Sequence, residues 1–183
     1  MSVVSYYKKE EDLNSLSLDD LTLGAVGSLT SLSVGYVVMK GSERILEEWG
    51  IQNLESQTYF QVYETIEKIS SGLLRGILKC LAIVYVAILV PVLEEWIFRD
   101  LLYKWQEESL SSRVYRVLAN GIVFGAFHYS IMQGWANILI VAVTTIAGIV
   151  FAALRELRGD RWASTVAHSL NNSLVLGMNF LRI

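Results

Sequence analysis

The run VLEEWIFRDLL carries Glu94, Glu95, Arg99 and Asp100 out of an apolar stretch. On a helix, Glu95 and Arg99 stand four residues apart with the acid N-terminal, the favourable order for a pair on one face. Glu94 points about 100° away from Glu95 and is left without that cation. A carboxylate so placed is the group that a general base requires. Further on, His128 closes the run FGAFH, with Phe124 four residues before it on the same face. His168 lies in AHSLNNS and Asn172 follows it by four residues, so both share a helix face. An imidazole and a carboxamide offered together can donate hydrogen bonds to a developing oxyanion.

Each of these sites also has a plainer reading. The four charges could end a cytosolic helix. A lone histidine in an apolar helix is ordinarily a hydrogen-bonded core residue. The His168–Asn172 pair could be interhelical glue, worth about 0.6–2 kcal/mol in membranes. Their combination points elsewhere. Both histidines of the chain and the glutamate pair fall in apolar segments, and intramembrane ionisable residues mark functional sites by default. Three helices could bring a base, an imidazole and oxyanion donors to one interior point, as a buried hydrolytic site needs.

The elements that would position these groups read as membrane helices. A span needs about 20 apolar residues. Leu21–Met39, Gly134–Leu154 and Trp162–Leu181 contain no Asp, Glu, Lys or Arg. Gly72–Leu93 and Val114–Ser130 are apolar with interruptions. The expectation is therefore an all-α, multi-pass membrane helix bundle of about five transmembrane helices, enclosing a polar intramembrane cleft. Pro91 is the single proline. Within a helix it removes a hydrogen bond to the carbonyl of Ala87 and kinks the chain, which could open a wet cleft beside Glu94. Residues 1–20 read as a polar N-terminal tail, 21–80 as a membrane helix plus a polar connection, and 81–181 as the core. In the connection, Tyr59, Val62, Tyr63, Ile66 and Ile69 recur at helical spacing, for a helix lying on the bilayer or packed on the bundle. The three arginines Arg155, Arg158 and Arg161 of one short loop favour a cytosolic N-terminus. Trp105, Trp135 and Trp162 sit near span ends, as an aromatic belt would.

Composition agrees and excludes other classes. Of 183 residues, 53% are hydrophobic and 18% charged, below the roughly 25% charged of a soluble domain. The mean hydropathy is +0.42. A net charge of −3 without a basic run gives nucleic-acid binding no support. The one cysteine, Cys80, forms no internal disulfide. Neither H-E-x-x-H nor G-x-S-x-G occurs.

In order, EEWIFR (Glu94–Arg99), FGAFH (Phe124–His128) and HSLNN (His168–Asn172) resemble the three motifs E-E-x-x-x-R, F-x-x-x-H and H-x-x-x-N of the CPBP family. This is the CAAX-protease and bacteriocin-processing, or Abi, family, to which the eukaryotic type II CAAX prenyl endopeptidase belongs. The resemblance covers about Leu81 to Leu181. It implies an intramembrane endopeptidase in which Glu94 is the general base, His128 assists water activation, and His168 and Asn172 stabilise the oxyanion. Glu95, Arg99 and Phe124 would support them, and Asn171 falls outside the motif spacing. No cofactor follows from the residues. Glu94, His128 and His168 could hold zinc with an open position, or act without metal. The expected partners are membrane lipid and a membrane-proximal peptide or membrane-anchored protein substrate. The alternative is a non-proteolytic membrane scaffold or immunity-type factor that retains the fold.

Overall fold

The computed structural model describes residues 15–48, 64–101, 109–129 and 137–180. Among them the regular structure is helical. The chain runs through α1 (Leu18–Glu48), a composite second rod, α4 (Leu110–Phe127), α5 (Asn137–Arg158) and α6 (Trp162–Phe180). The second rod joins α2 (Gly72–Val84), a π-helical turn π1 (Tyr85–Leu89), α3 (Val90–Glu95) and a second such segment, π2 (Trp96–Leu101). Among the described residues, Leu18–Ser42, Gly72–Asp100 and Asn137–Arg158 are long and apolar enough to cross a membrane. The protein is therefore an all-α membrane helix bundle. Helix α4 falls short of that apolarity chiefly through Arg113 and Arg116, and α6 through His168, Asn171 and Asn172.

Side-chain contacts fix how the rods lie. Asp20, Gly27 and Gly35 of α1 meet Arg158, Leu154 and Val143 of α5, so these two run antiparallel. Gly24, Gly27 and Ser31 meet Val166, Ala167 and Asn171 in rising order, so α1 and α6 run parallel. The second rod opposes α6, with Val86 beside Asn172, Glu95 beside His168 and Asp100 paired with Arg161. Small residues permit the close approach, as membrane helix interfaces require. A Cβ on Gly148 would come within 2.9 Å of the Phe124 ring. Between α5 and α6 the chain turns through Gly159 at φ 78°, a left-handed conformation that favours glycine. Asp160 then accepts the Trp162 N–H at 3.0 Å and opens α6.

Several boundaries differ from the sequence expectation. Helix α1 begins at Leu18 and continues to Glu48, beyond both ends of the expected span. Asp20 is buried within it and pairs with Arg158 at 2.7 Å, so the helix joins the bundle ahead of the apolar run that begins at Leu21. Helix α4 stops at Phe127, and His128 is its C-terminal cap rather than a residue inside a span. In the polar connection, Ile66 is buried and Ile69 half-buried, while Tyr59, Val62 and Tyr63 lie outside the described residues, as do Trp105 and Trp135.

Candidate active site

The proline shapes the helix that bears the glutamates. Its ring would clash with the carbonyl four residues earlier, and the helix responds by widening into π1. There the Val90 N–H reaches back five residues to the Tyr85 carbonyl. In that register the next bond would run from residue 91 to the Val86 carbonyl, and proline has no N–H to give. The vacated acceptor is thus Val86, one residue before the Ala87 expected from a plain α-helix. The Asn172 Nδ2 donates to it at 3.0 Å. π-Helical turns of this kind are frequent at functional sites.

Beyond the proline the two glutamates separate as their helical angle requires. Glu95 is fully buried, and its Oε2 lies 3.2 Å from the Arg99 Nε, also fully buried. Arg99 donates through Nη2 to the Gly148 carbonyl at 3.2 Å and stacks over the Phe124 ring, 5.1 Å from its centroid. The other oxygen of Glu95 faces His168 Nδ1 at 3.1 Å. Glu94 is 27% exposed in its side chain, and its Oε2 lies 3.6 Å from His168 Nε2. The carboxylate predicted to stay clear of Arg99 is therefore turned toward the second imidazole.

Both histidines are aimed by their Nδ1 atoms. The His128 Nδ1 lies 2.8 Å from the Phe124 carbonyl, which can only accept, so this nitrogen carries the hydrogen. His168 donates from Nδ1 to a carboxylate already paired with Arg99. Each ring thus leaves Nε2 for other partners. Phe124 sits between the two imidazoles, with ring centroids 4.7 Å from His128 and 5.5 Å from His168. Phe151 stacks on His168 at 4.9 Å. Glu94, Glu95, Arg99, Phe124, His128 and His168 thus form one connected cluster, and Asn172 adjoins it one helical turn beyond His168. Asn171 turns away to accept from Ser31 at 2.9 Å.

One member was not singled out from sequence. Asn120 is buried and donates through Nδ2 to the Phe98 carbonyl at 2.6 Å. It precedes Phe124 by four residues and shares its face. A carboxamide on an apolar helix, in step with Phe124 and His128, is the signal that marks it.

Among the described residues, no three His, Cys, Asp or Glu side chains are grouped to hold a metal ion. His168 keeps Nε2 open, as a metal ligand would, but His128 meets the cluster through Phe124. Glu94, His128 and His168 do not make a zinc site in this arrangement.

Residues 76–174, just over half of the chain, match a family model described as type II CAAX prenyl endopeptidase Rce1-like. That stretch begins in α2 and ends in α6, and contains every cluster residue. No curated protein and no solved structure was found to match.

Proposed function

The chain belongs to the Rce1-like family of type II CAAX prenyl endopeptidases, and we propose that it hydrolyses a peptide bond of a membrane-proximal substrate, lipid-anchored proteins included. The observation that carries this reading is the division between the adjacent glutamates. Glu95 is fully buried between Arg99 and His168, whereas Glu94 is partly open and turned to His168 Nε2 at 3.6 Å.

Glu94, assisted by His128, polarises a water and takes its proton as the hydroxide adds to the scissile carbonyl carbon. Across the 3.6 Å gap the proton passes to His168 Nε2. Glu95 on the opposite nitrogen stabilises the imidazolium so formed. His168 then donates from Nε2 to the oxyanion, together with the second N–H of the Asn172 amide. When the carbon–nitrogen bond breaks, that proton leaves with the amine. The carbonyl re-forms, the acid so produced passes its remaining proton by way of Glu94 to the amine, and one water and one peptide bond yield a carboxylate and an ammonium group. Residues 81–181 carry this chemistry, and residues 21–80 flank it.

Orientation belongs to the same proposal. Asp20 near the start of α1, Arg158 at the end of α5 and the Asp100–Arg161 pair share one end of the bundle. Arg155 and Arg158, in the last turn of α5 rather than in a loop, and Arg161 just before α6 therefore lie on the N-terminal side, and the positive-inside rule assigns that side to the cytosol.

The test is cleavage of a mixed peptide library, prenylated C-terminal peptides among it, by purified protein with and without a chelator. Cleavage by the wild type that is lost in Glu94→Gln and survives the chelator is expected. Intact peptides throughout, from a folded wild type, would move the protein to a scaffold role.

A further inference from the structure

Two asparagines from different helices, Asn120 buried and Asn172 half-buried, bond to backbone carbonyls of the rod that carries the glutamates. From α6, the Asn172 Nδ2 donates to Val86 in π1 at 3.0 Å. From α4, the Asn120 Nδ2 donates to Phe98 in π2 at 2.6 Å. Glu94 and Glu95 end the short helix α3, which lies between those two segments. The tie at Val86 exists because Pro91 removes the backbone N–H that the π register would supply. A buried carbonyl without a donor is unfavourable, so this acceptor selects the side chain facing it.

Neither tie touches the glutamates, yet both fix where they sit. Asn172 is one turn from His168 on α6, and Asn120 is one turn from Phe124 on α4. Each brace therefore sets the rod against the helix whose aromatic ring or imidazole meets the glutamate segment. Arg99 adds a third link, to the Gly148 carbonyl of α5, at 3.2 Å.

We infer that Asn120 and Asn172 are positioning residues, which hold the glutamate-bearing segment in register with His168 by bonding to carbonyls of the two π-helical segments. The inference rests on the proposed hydrolytic role for its kinetic consequence, though not for its structural one. Asn120 is the sharper case, because no catalytic part is assigned to it.

The chain has two histidines, so a 15N-histidine-labelled sample gives two imidazole spin systems, assigned by a His128→Gln control. In Asn120→Ala and in Asn172→Ala, the His168 nitrogens are expected to shift from their wild-type positions as the Glu95 contact moves. In Asn120→Ala, kcat should fall about 10- to 100-fold with KM within about twofold, as misplacement of a reacting group produces. Asn120→Leu keeps the volume and removes the donor, so it repeats the test if the alanine variant does not fold. Unchanged His168 signals in folded Asn120 and Asn172 variants would overturn the inference. A wild type that cuts no peptide would remove the proposed hydrolysis, while the His168 signals would still decide whether the braces act.

Discussion

At Glu95 one oxygen meets Arg99, the other meets His168, and no surface reaches solvent; at Glu94 a quarter of the side chain is open and one oxygen lies 3.6 Å from an imidazole nitrogen. The two residues differ by one position and about 100° of helical rotation. That much was legible in the sequence, because i, i+4 spacing and charge sign suffice to pair Glu95 with Arg99. The hold of Glu95 on His168 was not, since it joins residues 73 apart in the chain. Glu95→Gln should be strongly destabilising, by about 3–5 kcal/mol, because it leaves Arg99 as an uncompensated buried charge. Denaturation in detergent measures it, and a loss below about 1 kcal/mol, the range of an exposed pair, would contradict the burial argument. Phe124 is 2% exposed and touches both imidazoles. Phe124→Ala should lower stability by about 3–5 kcal/mol, and its cleavage rate should fall because both imidazoles lose the phenyl ring packed between them.

At the level of elements, the apolar runs identified the rods but not their irregularities. Pro91 announced a disturbance in the second rod. It becomes a five-residue turn with Val86 rather than Ala87 as the open acceptor, and the donor that meets it, Asn172, stands on another helix. The polar residues that lower the apolarity of α4 and α6 are likewise met in tertiary structure: Arg116 pairs with Glu156 of α5, and His168, Asn171 and Asn172 bond to the second rod and to α1. Asn120 went unremarked in sequence for the same reason: its partner is a backbone carbonyl, which no side-chain pattern reveals. Close packing of α4 on α5 is set by Gly121, Gly125 and Gly148. Gly148→Val would drive two methyl groups toward the Phe124 ring, where even a Cβ comes within 2.9 Å. Overpacking of this kind costs about 1–3 kcal/mol. It should also reduce cleavage by displacing Phe124, an effect that Gly159→Ala, outside the cluster, should not share. Melting temperatures and rates of the two variants make the comparison.

Across the whole molecule, α1 lies ahead of the segment that matches the family, yet it packs along α5 and α6. Its buried Asp20 is tied to Arg158, and its Ser31 bonds to Asn171 beside the site. The sequence showed α1 as a span but not its role in the bundle, because its contact residues are small and carry no motif. The shared end of α1, α5 and α6 makes topology testable. A reporter fused after Arg158 should register on the cytosolic side together with one at the N-terminus. Signals from opposite faces would contradict the bundle, and signals from the external face on both would reverse the orientation.

The division between the two glutamates is tested most directly by one comparison, of wild type and Glu94→Gln, scored for both peptide cleavage and melting temperature. Because Glu94 is partly open and outside the buried ion pair, the variant should melt with the wild type while its cleavage disappears. Undiminished cleavage by a folded Glu94→Gln protein would contradict the assignment of Glu94 as the base.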